Sequence, residues 1–241
     1  MTLKLTELPT DVQAQVAATR AVVAELHAQL PRWELVVWTA GNVSQRIRCA
    51  AQIGEDLFVI KPSGVSYDEL SPEQMVVCTL DGAKIDDGTP ETLQPSSDTA
   101  AHAYVYSELE HVGGVVHTHS TYATAWAARG EAVPCVLTMM ADEFGGPIPV
   151  GPFALIGDDS IGRGIVETLR NSRSRAVLMA NHGPFTIGSD GRDAVKAAVM
   201  VEEVARTVHI SRQLGDVIPI AQEQIDSLFD RYQNVYGQPK K

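Results

Sequence analysis

The sequence predicts an α/β layered domain, because stretches with helical periodicity and short apolar strands alternate along one chain. Apolar residues recur at helical spacing in two long stretches, at 10–30 and 193–214. Short apolar runs bounded by turn residues, at 57–60 and 176–180, are typical of buried strands. No internal repeat and no linker rich in Pro, Gly or Ser divides the chain. We therefore expect a single domain that spans residues 1–241.

The remaining elements follow from the turn and cap residues between the apolar runs. Thr10 or Asp11 is expected to cap the first helix, and Pro31 to end it. The other expected elements are a strand entered through a turn at 41–44, strands at 75–80 and 83–85 on either side of Asp81-Gly82, a helix at 99–109, a strand at 115–119 and a helix at 222–232. Several polar residues considered below lie where these strands end.

The composition is that of an ordinary globular protein, with 44% hydrophobic and 20% charged residues. The formal net charge of -11 argues against nucleic acid and anionic membranes as main partners, because both would be repelled. The three cysteines have no short spacing, which predicts reduced core residues rather than disulfides. The first residues lack the apolar stretch of a signal peptide, and no apolar run approaches the roughly 20 residues that span a bilayer. These features predict a cytoplasmic protein.

Two histidines on one predicted strand, His117 and His119, are the clearest indication of a metal site. Residues two apart on a strand project from the same face, so both imidazoles can reach one ion. His182 follows a different apolar strand and precedes a glycine, which makes it the candidate third ligand. Neutral imidazoles suit zinc and related transition metals. A single histidine is more often a hydrogen-bonded core residue, but three in this arrangement favour a metal site.

Asp98 is the candidate carboxylate beside these histidines. It could bind the metal directly or orient one of the ligands. Because it directly precedes a predicted helix, simple N-capping is an equally good reading of the residue by itself.

Two further segments suit the binding of an anion. Lys61 supplies positive charge, and Gly64 lets backbone amides approach an oxyanion. Ser96 and Ser97 stand at a predicted helix N-terminus, where free N–H groups and the helix dipole favour phosphate. Each segment alone is more often a turn, but together, in a chain this acidic, they predict a phosphate site.

Seven short motifs occur in order along most of the chain. They are Gly-Asn-Val-Ser at 41–44, Lys-Pro-Ser-Gly-Val at 61–65, Pro-Ser-Ser-Asp-Thr at 95–99, Val-His-Thr-His-Ser at 116–120, Ala-Asp at 141–142, Asn-His-Gly-Pro-Phe at 181–185 and Tyr-Gly-Gln at 236–238. One such motif would be weak evidence, whereas seven in this order are strong. Together they resemble the class II aldolase/adducin family, and within it the L-ribulose-5-phosphate 4-epimerases.

The resemblance implies a three-layer α/β/α domain around a central, mostly antiparallel sheet, assembled as a homotetramer with active sites between subunits. It also implies a divalent metal, Zn2+ or a substitute such as Mn2+ or Co2+. The implied metal ligands are His117, His119 and His182, with Asp98 as the adjoining carboxylate. The residues implied to hold the phosphate of a phosphorylated ketose, or to line its site, are Gly41, Asn42, Lys61, Ser63, Gly64, Ser96 and Ser97.

Asp142 and Tyr236 match the acid/base positions of the family, which a neighbouring subunit contributes. The implied reaction interconverts L-ribulose 5-phosphate and D-xylulose 5-phosphate, and the carbon that it inverts carries no acidic proton. Retro-aldol cleavage between C3 and C4, with re-addition to the other face of the aldehyde, inverts that carbon. A metal would act as the Lewis acid, and one proton carrier is needed on each side of the aldehyde.

Two alternatives belong to the same family. Aldolases of the L-fuculose 1-phosphate type share the metal histidines but carry a glutamate at the position of Asp98. Asp98, Asp142 and Tyr236 together favour the epimerase. The chain nevertheless has Met140, and a residue near Asp230, where the best-known bacterial epimerases have histidines. A non-catalytic adducin-like interaction module lacks the metal ligands, whereas this chain has all three histidines.

Overall fold

One seven-stranded sheet runs through residues 3–235, the part of the chain that the computed structural model describes. Its strands are β1 (Asn42–Ile47), β2 (Leu57–Ile60), β3 (Val76–Thr79), β4 (Gly114–His117), β5 (Val150–Gly151), β6 (Ala176–Met179) and β7 (Gly183–Gly188). Across the sheet they lie in the order β3-β2-β1-β4-β7-β6-β5. Every neighbouring pair is antiparallel except β5 and β6, which run parallel. The expectation of a mostly antiparallel sheet is confirmed.

Helices cover both faces of this sheet. They are α1 (Thr10–Gln29), α2 (Ala50–Ile53), α3 (Thr99–Glu108), α4 (Thr121–Arg129), α5 (Thr138–Phe144), α6 (Ser160–Leu169), α7 (Gly191–Leu214) and α8 (Gln222–Asn234). On one face, α3 and α6 pack around strand residues such as Phe58 and Phe185. On the other face α1, α4 and α7 contact the strands, and α5 and α8 join α4 and α7 in one apolar cluster. The three-layer α/β/α architecture is therefore confirmed.

The first helix follows its predicted bounds but not its predicted cap. Its buried residues recur at helical spacing and include Val12, Val16 and Val23. Pro9 occupies the N-cap position, and no side chain makes a capping hydrogen bond there, so the predicted cap by Thr10 or Asp11 is wrong. The helix begins instead with a backbone bond, in which the Gln13 N–H donates to the Pro9 carbonyl at 3.0 Å.

Two of the predicted strands differ from the structure. Residues 83–85 form no strand. They pair with β3 through an isolated bridge between Cys78 and Lys84, and the Thr79 hydroxyl donates to the Ala83 carbonyl at 3.1 Å. The strand predicted at 115–119 ends at His117. His119 consequently lies in the short connection between β4 and α4 rather than on the strand.

The strand ends that carry the candidate residues meet at one edge of the sheet. Asn42 at the start of β1 pairs with His117 at the end of β4, and His117 pairs in turn with Phe185 of β7. The end of β2 lies beside the start of β1, since these strands are antiparallel. The turn between β6 and β7 contains His182. The sheet topology thus brings distant motifs together at a single edge.

Within residues 3–235, no helix has both the length and the apolar character that a bilayer crossing requires.

Candidate metal and phosphate site

Three histidine side chains converge at this edge of the sheet. One ring nitrogen from each of His117, His119 and His182 lies within 4.8 Å of the others. Nε2 of His117 is 2.9 Å from Nε2 of His119, and the His117 ring centroid is 4.6 Å from each of the other two centroids. His117 is buried, His182 is half-buried and His119 is exposed. Three nitrogen donors around an accessible point are typical of a catalytic metal centre with one open position.

The protonation of these rings fits a metal site. Nδ1 of His117 lies 3.1 Å from the Pro184 carbonyl, and since a carbonyl only accepts, Nδ1 carries the proton and Nε2 presents its lone pair. Nε2 of His182 is buried and has no hydrogen-bond partner among the described residues. Desolvation lowers the pKa of all three histidines, most strongly that of the buried His117 and less for His119 and His182, which are only partly removed from water. The imidazoles are therefore neutral, which is the form that binds a divalent cation.

Phe185 and Gly41 pack closely against His117 from two sides. The Phe185 ring stacks on the His117 ring at 4.1 Å with an angle of 13° between the planes, which fixes the plane of the imidazole. Gly41 approaches from the other side with a φ of +81°, and a Cβ there would stand 2.8 Å from the His117 carbonyl oxygen. Glycine is thus required at 41 both for its backbone conformation and for this close contact.

Asp98 lies next to the histidines with one carboxylate oxygen uncommitted. Its Oδ2 accepts a hydrogen bond from Asn42 Nδ2 at 2.7 Å, whereas its buried Oδ1 has no partner among the described residues. Asp98 also raises the pKa of His119 and His182, against the larger effect of burial. It occupies the N-cap position of α3, but its side chain makes no capping hydrogen bond. Asp98 lines the same cavity as the histidines, although its carboxylate is outside the group of ligand atoms that lie within 4.8 Å of one another. The predicted side-chain capping by Asp98 is therefore absent, and a position beside the metal remains its predicted role.

A cavity of about 180 Å³ adjoins the histidines and reaches the two segments predicted to bind an anion. It is lined by predicted residues, namely Gly41, Asn42, Lys61, Ser63, Gly64, Ser96, Ser97, Asp98, His117, His119 and His182. It is also lined by Thr39, Ala40, Pro62 and Ile156, which the sequence did not single out. These four carry no charge, acid or imidazole, so their residue types gave no signal. Larger cavities elsewhere on the protein lie away from the histidines.

The two anion-binding segments lie side by side. Pro62 forms an isolated bridge with Pro95, and the Ser96 N–H donates to the Lys61 carbonyl at 2.9 Å. The Ser63 N–H likewise donates to the Gln94 carbonyl at 2.9 Å. Because these two amides are already used, the hydroxyl groups and the lysine are the better donors to an anion from this part of the site.

Lys61 is a buried cation at the wall of the cavity. Its Nζ donates to the carbonyls of Thr39 at 3.3 Å and Pro62 at 3.2 Å. An ammonium has three N–H donors, so one is left for a ligand. Burial lowers the pKa of Lys61 to about 8. The group is therefore positively charged at neutral pH but close to losing its proton.

Asp142 lies on α5, outside the lining of this cavity. Its carboxyl is half-buried, and this burial raises its pKa while Arg231 of α8 opposes the rise. The helices α5 and α8 pack against each other. Tyr236, the other acid/base candidate, lies outside the described residues. Met140, at one of the positions where the best-known epimerases have histidine, is fully buried in the core.

The sequence model of the family described as "Class II Aldolase and Adducin N-terminal domain" matches residues 21–209. This chain belongs to that family. The L-ribulose-5-phosphate 4-epimerases UlaF from Salmonella paratyphi C (strain RKS4594) and Salmonella choleraesuis (strain SC-B67) are each 40% identical over 209 residues, covering 81% of this chain and 86% of theirs. The chain is thus an enzyme of the class II aldolase type, and the resemblance in its motifs is confirmed.

Solved structures agree on the fold of this class II aldolase family member. An L-fuculose 1-phosphate aldolase superposes with a TM-score of 0.81 at 23% identity, covering 90% of this chain and 96% of that protein. The YgbL protein of Klebsiella pneumoniae superposes with a TM-score of 0.74 at 25% identity, covering 88% and 98%. The family depends on a divalent metal, and the histidine cluster is where this chain offers nitrogen donors for one.

Proposed function

We propose that this protein is a metal-dependent L-ribulose-5-phosphate 4-epimerase, which interconverts L-ribulose 5-phosphate and D-xylulose 5-phosphate. The observation that carries the proposal is a single cavity lined both by three neutral histidines and by a buried lysine. A phosphorylated ketose would place its carbonyl at the histidine end of this cavity and its phosphate at the lysine end. The names of the relatives that are 40% identical support this choice of substrate.

His117, His119 and His182 would hold the metal, with Asp98 beside them. Imidazole nitrogens suit Zn2+, with Mn2+ or Co2+ as substitutes. When bound, the ion supplies a Lewis acid that polarises the ketose carbonyl. Asn42 would keep Asp98 in place through the bond to Oδ2, which leaves Oδ1 without a hydrogen-bond partner among the described residues.

The phosphate would bind at the other end of the cavity. Lys61 has one N–H to donate, and the Ser63 and Ser96 hydroxyls line the same wall. Ser96 Oγ accepts from Asn42 Nδ2 at 3.0 Å, which leaves its own proton free for an anionic oxygen. These donors fix the end of the sugar that cleavage would release as glycolaldehyde phosphate, and they hold it while its aldehyde turns.

Proton transfer falls to Asp142 and Tyr236, each serving one face of that aldehyde. Asp142 does not line the cavity of its own subunit, so this role requires a neighbouring subunit, as in the homotetramer that the resemblance implies. Burial raises the pKa of Asp142, so that a larger fraction of the carboxyl group carries a proton near neutral pH than in a fully solvated aspartic acid.

Product analysis with two substrates tests the proposal. The metal-loaded protein is expected to form D-xylulose 5-phosphate from L-ribulose 5-phosphate. Release of dihydroxyacetone phosphate from L-fuculose 1-phosphate, with no epimerisation of the pentulose phosphate, would assign the aldolase alternative instead. Absence of any affinity for zinc, manganese or cobalt would refute the enzyme assignment and favour the non-catalytic, adducin-like alternative.

We expect kcat/KM for the sugar phosphate to fall as pH rises through about 8. Burial lowers the pKa of Lys61 to about 8, so the charged form that attracts phosphate is present below that pH and lost above it. A bound phosphate favours the ammonium, so the corresponding decline in kcat should appear at higher pH. A pH profile of both parameters measures the two effects.

The control for this profile is Lys61→Arg, because a guanidinium stays charged across the whole range. This variant should lose the alkaline decline in kcat/KM even where its absolute activity is lower. The same decline at the same pH in the arginine variant would mean that another group causes it.

A further inference from the structure

Tyr67 lies behind the phosphate end of the cavity and does not line it. Its hydroxyl is 2.9 Å from the Ala40 carbonyl and 3.0 Å from the Gly41 carbonyl. A phenol has one proton to donate, so the two carbonyls share it. Burial raises the pKa of Tyr67, and the hydroxyl therefore keeps its proton as a donor. Both acceptors belong to residues of the cavity wall.

The wall segment that Tyr67 contacts has an irregular backbone. Trp38 has a φ of 58° and Gly41 a φ of 81°, so two left-handed residues stand within four positions. Regular pairing begins only at Asn42, where β1 starts. Within this segment the Ala40 N–H donates to the Val37 carbonyl at 3.1 Å. The Tyr67 hydroxyl adds one shared hydrogen bond to the carbonyls of Ala40 and Gly41, which have no partner in a sheet or helix.

Tyr67 also contacts the Lys61 ammonium. The Lys61 Nζ lies 5.4 Å from the centroid of the Tyr67 ring, within the range of a cation–π interaction. The same ammonium donates to the Thr39 carbonyl. Tyr67 therefore contacts both Lys61 and the 39–41 segment, and Lys61 contacts the same segment. Each of these three groups thus contacts the other two.

We propose that Tyr67 is a positioning residue for phosphate binding, which holds the 39–41 segment and the Lys61 ammonium in one arrangement before the ligand arrives. The proposal rests on the proposed function, because it takes this end of the cavity as a phosphate site. A preformed arrangement raises affinity, since the free energy of ordering the wall is not spent on binding.

The test is Tyr67→Phe, which removes the hydroxyl and keeps the ring beneath Lys61. We expect KM for L-ribulose 5-phosphate, and the Kd for inorganic phosphate measured calorimetrically on the metal-loaded enzyme, each to rise about tenfold, as for the loss of a buried hydrogen bond. The value of kcat and the metal content should change by less than about twofold. Tyr67→Leu also removes the ring and should weaken phosphate binding further.

Tyr104→Phe is the matched control. Its ring likewise lies beneath a cation, with Arg163 at 4.9 Å from the centroid, but it stands on α3 outside the cavity. This variant should leave phosphate affinity, KM and kcat at the wild-type values. An equal rise in the Kd for phosphate in both variants would overturn the proposal.

Three further outcomes would overturn the proposal: unchanged phosphate affinity in Tyr67→Phe, a lowered kcat with unchanged KM, or a Tyr67→Phe protein that no longer folds. Phosphate binding also separates this proposal from the choice of substrate. A wild-type protein that binds phosphate but does not epimerise the pentulose phosphate would refute the proposed function, while a weaker affinity in Tyr67→Phe would still support Tyr67. A wild-type protein that binds no phosphate would refute the positioning role.

Discussion

Replacing His117 with alanine should remove the bound metal and lower kcat by about a thousandfold or more, because the Lewis acid leaves with its ligand. His117 is the only fully buried member of the cluster, and its ring lies equally close to both other histidines. Its removal also takes away the imidazole on which Phe185 stacks. Metal content by mass spectrometry and kcat on the same preparation measure the effect.

The control for this substitution is His111→Ala. His111 is exposed and lines a separate cavity that also contains Leu169 and Arg170. The control should keep both metal and activity. Full metal content in His117→Ala would contradict the assignment of this histidine as a ligand, whatever the activity of the variant.

Asp142→Asn and Tyr236→Phe should each lower kcat by roughly a hundredfold to ten-thousandfold, the usual contribution of a positioned acid or base. Asparagine and phenylalanine keep the shapes of the side chains but cannot deliver the proton. Metal content should be unchanged in Asp142→Asn, because Asp142 lies outside the cavity of the histidines. It should also be unchanged in Tyr236→Phe, because the proposed role of that residue is proton transfer rather than metal binding. Single-turnover assays that follow cleavage and re-addition separately would assign each residue to one face of the aldehyde.

Asp226→Asn is the control for these two variants. Asp226 stands on α8, the helix that leads toward Tyr236, and forms an exposed ion pair with Arg173. Because exposed pairs contribute little, its loss should leave kcat unaltered. Loss of metal from Asp142→Asn or Tyr236→Phe would show that the residue acts on the metal centre rather than on the proton.

The elements that the sequence predicted well are those in which burial dominates the pattern. The buried stripe of α1 and the four buried residues of β2 are examples. The helix α6 was missed because Gly162 and Gly164 lower its helical propensity. Gly162 is needed for close packing, since a Cβ there would stand 2.7 Å from the Ala101 carbonyl oxygen. In α6, packing against the rest of the protein thus outweighs the low helical propensity of glycine, which the sequence alone shows.

The sequence predicts those site residues whose side chains carry ligand or charged groups and lie near strand ends. The histidines, Asp98 and Lys61 all line one cavity, as their motifs indicated. Tyr67 could not be predicted as a site residue, because its hydroxyl contacts only backbone carbonyls of the cavity wall. Such a role leaves no motif of its own, and only the path of the chain shows which carbonyls lie within reach.

The position of Asp142 outside the cavity has a consequence for mixtures of variants. If each centre takes its histidines from one subunit and its acid from the next, His117→Ala and Asp142→Asn damage different halves of the same centre. Two preparations that are each inactive should then regain activity when their subunits are exchanged, since some interfaces in the hybrid assembly join an intact half from each parent. Each active centre would then require residues from two subunits, and a single subunit alone would be inactive.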